Sequence, residues 1–242
     1  MLIQQDDFPQ AIDVLKDAIK ANPNNAEPYQ QLAFIYTRYL KRTDQAIDYA
    51  NRAIALNPGD VEGYQRLVEI ELAAGQERRA LEALDRALKV HTSDPNFWIR
   101  LGKLYVAILF KSDSQPKPDE LKKTNEVFKR AAENSGDDPG ILKDVADYYA
   151  ASQQLKEAIP LYLRVLELQP DDANAREKLA TGFVLTNQRD KAVEMLEQII
   201  KEHPEKYQPY DLLAQVLDDE ARSLQRAKRV DEAKATFAKV AV

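Results

Sequence analysis

The chain has 242 residues, 44% hydrophobic and 31% charged, with only 7 glycines and 12 prolines, a composition that favours a folded helical protein over a disordered or sheet-rich one. Its formal charge of −6 comes from 40 acidic and 34 basic residues spread along the chain; with no basic block to track a phosphate backbone, nucleic acid is not an expected partner. There is no cysteine, which excludes disulfides and thiolate chemistry, and the longest apolar run, Leu104 to Phe110, is far short of the ~20 residues that span a bilayer, so no membrane insertion is expected.

In chain order, seven segments align without gaps: FPQAIDVLKDAIKANP, TDQAIDYANRAIALNP, ERRALEALDRALKVHT, LKKTNEVFKRAAENSG, LKEAIPLYLRVLELQP, RDKAVEMLEQIIKEHP and VDEAKATFAKVAV. Their shared small residue falls at Ala11, Ala46, Ala80, Thr124, Ala158, Ala192 and Ala233, at spacings of 35, 34, 44, 34, 34 and 41. Before each segment except the first lies a second helical pattern, with large residues at i, i+3 and i+7 and a small one usually at i+4. Its positions are Tyr29-Leu32-Ala33-Tyr36, Tyr64-Leu67-Val68-Glu71, Trp98-Leu101-Gly102-Tyr105, Leu142-Val145-Ala146-Tyr149, Arg176-Leu179-Ala180-Phe183 and Tyr210-Leu213-Ala214-Leu217. Each unit therefore reads as a pair of helices with an underlying period of 34 residues.

The repeat W/Y-x2-L-A/G-x2-Y followed by the alanine segment and a proline, best seen in PNFWIRLGKLY, resembles the tetratricopeptide repeat. The resemblance covers essentially the whole chain. It implies an all-α superhelical solenoid of about six full helix-turn-helix repeats plus a truncated first one: 1–25, 26–60, 61–94, 95–138, 139–172, 173–206 and 207–242. It also implies a concave face lined mainly by the first helix of each pair, and a non-catalytic role as a scaffold that holds a protein or peptide partner.

Interruptions of the ruler are informative. The 10 extra residues of the fourth unit, KSDSQPKPDE at 111–120, contain Pro116 and Pro118 and read as a loop, with Pro118 in the first turn of the following helix. The 7 extra residues of the last unit lie within DDEARSLQRAKR; they amount to two helical turns, and both helices of that pair are expected to lengthen. Pro23, Pro58, Pro170 and Pro204 stop one unit before the next, and Gly75 and Asn187 suit the left-handed turn within a pair. Pro160 reads as tolerable because it lies near a helix start, where N–H groups have few acceptors. One array is expected over 1–242, and its ends read as those of a piece of a longer protein.

No phosphate-binding glycine loop, nucleophile elbow or H-E-x-x-H occurs, so no catalytic residue, metal or cofactor is expected. His91 and His203 fall in equivalent turns, and the acidic groups Asp6-Asp7, Asp137-Asp138, Asp171-Asp172 and Asp218-Asp219-Glu220 read chiefly as helix caps. Members of the family that grip a chaperone's C-terminal carboxylate use Lys and Asn from successive first helices. The matching positions here, among them Gln30, Phe34, Gln65, Glu69, Lys103, Lys143 and Asp147, lack that set.

The candidate binding surface starts from FWIRLGKLYVAILF, which is more apolar than one core-facing stripe requires. Ile99 and Val106 fall on its groove side; either the following loop covers them, or they form apolar pockets with Phe34 and Leu72, flanked by Arg38, Lys103 and Lys143. Gln65, Glu69 and Asp147 occupy the same face. The alternative to partner binding is a self-associating structural arm of a larger assembly, with a bacterial cell envelope as one setting.

Overall fold

The computed structural model describes residues 8–109 and 117–240. Among these are thirteen α-helices and no strand: α1 (Phe8–Ala21), α2 (Glu27–Arg38), α3 (Thr43–Leu56), α4 (Val61–Ala73), α5 (Glu77–Ala87), α6 (Pro95–Leu109), α7 (Pro118–Glu133), α8 (Pro139–Ala151), α9 (Leu155–Leu168), α10 (Ala173–Leu185), α11 (Arg189–Glu202), α12 (Tyr207–Arg226) and α13 (Val230–Val240). They form two compact units, α1–α7 and α8–α13, divided between Asn134 and Ser135. The repeat ruler runs through that division, since Thr124 and Ala158 remain 34 residues apart.

Within each unit a first helix packs on the second helix of its own pair and on the second helix before it. The small residues of the ruler lie at these crossings. Ala46, Ala80, Ala158 and Ala192 are fully buried, and Thr124 satisfies its hydroxyl by donating to the Glu120 carbonyl at 2.8 Å. The seams are filled by Leu32, Leu67, Leu101, Val145 and Leu179, all 3% exposed or less, each worth roughly 1.5–3 kcal/mol of burial. Gly102 is small for a specific reason: an added Cβ would lie 2.7 Å from ring atoms of Phe128 on α7.

The turns repeat as faithfully as the helices. Pro23, Pro58, Pro170 and Pro204 each sit two residues beyond the end of α1, α3, α9 and α11. The large residue that opens the next first helix then ties the turn down. Tyr29 donates its hydroxyl to the Pro23 carbonyl, Trp98 its indole N–H to Thr92 and Tyr210 its hydroxyl to Pro204. Arg176, chemically out of place in that series, reaches the Pro170 carbonyl with its guanidinium. Within five of the six pairs a left-handed residue precedes the second helix by two positions: Lys41, Gly75, Gln153, Asn187 and Lys228, with φ between 54° and 72°. The next residue donates back to the last turn of the first helix, as in Gln76 to Glu71 and Gln154 to Tyr149, both 2.8 Å, which satisfies otherwise orphaned carbonyls.

Two expectations change. Pro160 is the sixth residue of α9, past the initial N–H groups that lack acceptors, and Ala158 already donates to Gln154. The proline therefore forfeits the bond to the Lys156 carbonyl, and its position does not reduce that cost as expected. The 7 extra residues of the last unit all enter α12, which has 20 residues against 13 in α10; the spacing to Ala233 is accounted for without lengthening α13. Pro118 does open α7, while 111–116 of the expected loop, like Asp6-Asp7, lie outside the described residues.

Candidate functional site on the first helices

The acidic caps explain much of the charge at the helix starts. Asp60, Asp138 and Asp172 accept from backbone N–H groups in the first turns of α4, α8 and α10 at 2.8–3.1 Å. Asp218-Asp219-Glu220 differs, lying mid-way along α12. Among the described residues no group of three His, Asp or Glu side chains could hold a metal ion, and no helix is long and apolar enough to cross a membrane.

The structure distributes the candidate residues over both units. In the first, Phe34, Arg38 and Glu69 line a cavity of about 350 Å³ between α2 and α4, with Thr37, Arg66 and Ala73. Arg66 places its guanidinium 4.9 Å over the Phe34 ring and bonds Glu62 at 3.0 Å and Glu69 at 2.8 Å. Gln65 belongs to the same mesh, donating to Glu69 at 3.0 Å and accepting from Arg100 at 2.8 Å. Leu72 and Val106 are half-buried and Lys103 is exposed; none of the three lines the cavity. Of the two readings of Ile99, the exposed pocket is not met: at 4% exposure it belongs to the buried set of α6, with Phe97, Trp98 and Leu101.

In the second unit, Asp147 lines a cavity of about 410 Å³ between α8 and α10, along with Ala150, Ala151, Lys178, Thr181 and Leu185. Asp147 accepts from the Tyr162 hydroxyl at 2.6 Å and from Lys178 at 2.7 Å. Burial first, and then the bond to Asp147, push the Tyr162 hydroxyl well above the usual tyrosine range, so it remains a donor. Lys143 is turned to Asp172 at 2.7 Å instead of lining the cavity. A neighbouring cavity of about 390 Å³ shares Glu177, Thr181 and Gln208.

The two cavities occupy one position in the repeat. Counted from Tyr29, Tyr64, Leu142 and Arg176, Phe34 corresponds to Asp147, Thr37 to Ala150, Arg38 to Ala151, Arg66 to Lys178, Glu69 to Thr181 and Ala73 to Leu185. Lys178, Thr181 and Leu185, with Leu185 61% exposed, were not among the expected residues, although the ruler that singles out Phe34 and Glu69 reaches them when carried into α10.

A pair-by-pair stack of antiparallel helices with small residues at the crossings defines a helical repeat protein. The tetratricopeptide repeat profile matches residues 38–104 and 149–216, more than half of the chain, and the chain belongs to that family. Among solved structures it is similar to YrrB, described as a tetratricopeptide repeat protein with an unusual peptide-binding site, at 20% identity and a TM-score of 0.51, covering 79% of this chain and 93% of that one. It is also similar to the C-terminal part of a repeat-containing protein from Cytophaga hutchinsonii, at 16% identity and a TM-score of 0.52, covering 97% and 90%. At these identities the likeness concerns the fold. A search of curated proteins found no significant match. The fold is generally that of a protein–protein interaction scaffold.

Proposed function

We propose that this protein binds a segment of a protein partner on its first-helix face, the concave groove of the repeat array, and carries out no catalysis there. One observation supports this above all: the same register position forms an open cavity in each unit, between α2 and α4 and between α8 and α10, with different side chains in each. Packing demands would make equivalent positions alike, as they do at the buried alanines. Divergence at equivalent open positions is what recognition of different side chains by each unit requires. The peptide-binding site ascribed to YrrB agrees with this reading.

Selection of displayed random dodecapeptides on the full chain tests it. Enriched peptides should lose binding to Phe34→Glu or Thr181→Arg and keep it with Arg52→Glu or Lys129→Glu on second helices, all variants retaining their circular dichroism. Peptides indifferent to the first-helix changes would contradict it.

A second reading, self-association, is favoured by the start of α12, where Tyr207 is 85% and Tyr210 42% exposed, against 3% for the equivalent Tyr64. Light scattering over a concentration series distinguishes the two readings.

A further inference from the structure

The two equivalent cavities differ in how their cations are neutralised. In the second unit Lys178 is held by Asp147 at 2.7 Å, and the position nine residues after Leu142 is the uncharged Ala151. In the first unit Phe34 replaces that aspartate, so Arg66 stacks on an aromatic face and takes its carboxylates, Glu62 and Glu69, from its own helix. Arg38 replaces the alanine. It is exposed and, among the described residues, has no acceptor, whereas Arg66 and Arg100 on the neighbouring first helices are both engaged by Glu62. The Nε of Arg66 is buried without an acceptor, so Arg66 is a less open donor than Arg38. Two guanidinium groups and one carboxylate, Glu69, line this cavity.

We infer that the cavity between α2 and α4 takes an acidic residue of the bound segment, its carboxylate paired with Arg38 and an adjoining apolar side chain laid against Phe34. This rests on the proposed function and names the chemistry of one part of the segment. Arginine suits the role because its planar fork matches a carboxylate in two-point geometry.

The probe is the same library of displayed random dodecapeptides, selected in parallel on the parent chain and on Arg38→Gln, an exposed substitution at a helix end. Peptides enriched on the parent should carry Asp or Glu beside an apolar residue at a fixed place, and that preference should vanish on Arg38→Gln. A synthetic peptide from the parent selection should bind Arg38→Gln at least about tenfold more weakly, through loss of the charge-assisted pair with its carboxylate, and should bind the parent more weakly in high salt. Peptides that depend on Phe34 or Thr181 but show no acidic preference would overturn this inference and leave the proposed function standing. So would a preference that survives Arg38→Gln while melting temperature falls, which would reduce Arg38 to a partner of its own helix dipole. A dimer abolished by Arg38→Gln would assign the cavity to a second copy and overturn it as well. Absence of any peptide sensitive to first-helix substitutions would overturn both.

Discussion

Lys143 of α8 reaches 2.7 Å across to Asp172, the carboxylate that caps α10, so one side chain serves a helix end and joins two first helices. Burial acts to raise the Asp172 carboxyl, but Lys143 and the Ala175 amide outweigh it and hold the group below the usual carboxylate range. A depressed value contributes stability that is present above the unfolded value and lost as pH falls through the folded one. In Lys143→Met only burial and the amides remain to set it. The carboxyl resonance of Asp172 should therefore titrate at higher pH than in the parent, and the acid-unfolding midpoint should rise. Identical titrations would remove Lys143 as the cause.

The same link recurs with different chemistry. Gln30 donates to the capping Asp60 at 2.8 Å, and Glu177 pairs with Lys206, which precedes α12, so the charges are exchanged. Lys206→Glu should destabilise by setting two carboxylates together, and adding Glu177→Lys should restore stability. Since both groups are more than a third exposed, the coupling expected in a urea double-mutant cycle is only about 0.5–1 kcal/mol. Additive effects would show that the pair contributes nothing.

Three of the five left-handed turn residues are Lys41, Gln153 and Lys228, where a Cβ is strained by about 1–2 kcal/mol. Glycine at any of them should raise the unfolding free energy from urea titration by about 0.5–1 kcal/mol after its greater unfolded entropy is subtracted. Glycine at exposed mid-helix Lys129 should instead lower the unfolding free energy by about 1 kcal/mol. A loss at all three turns would mean that their side chains hold the turn.

These turns show where the sequence was readable. Ala46, Ala80 and Ala192 are recognisable because a crossing admits no larger side chain, and Pro58 or Pro204 because each recurs at a constant distance. Gly75 and Asn187 reveal their turns by residue type. Lys41 and Gln153 carry no such mark, because there the helices on either side impose the geometry. Ile99 could not be assigned to cover or to pocket for a related reason: apolarity on a helix face does not say whether a neighbour already covers it. Phe34 and Glu69 could be placed on the right face, but the stacking of Arg66 on Phe34 and the hold of Lys178 on Asp147 depend on side-chain reach between helices, which spacing does not encode.

At Gly102 the space is already taken by Phe128, itself 2% exposed. Gly102→Ala should destabilise by about 1–3 kcal/mol through overpacking, despite the better helix propensity of alanine. Gly59→Ala, where the added Cβ meets only Asn57 Oδ1 at 3.9 Å, should lie within about 0.5 kcal/mol of the parent. Equal midpoints for the two would disprove the close crossing of α6 and α7.

Because the chain contains no cysteine, single cysteines bearing a photoreactive label test the binding face directly. Labels at Gln31, Glu69 and Thr181 on first helices, and at Arg52, Lys129 and Glu194 on second helices, would be irradiated with a selected peptide bound. Covalent capture at Gln31 and Glu69, at Thr181, or at both places, abolished by excess unlabelled peptide, is the result expected of first-helix binding. Capture centred on Arg52, Lys129 and Glu194 would contradict it.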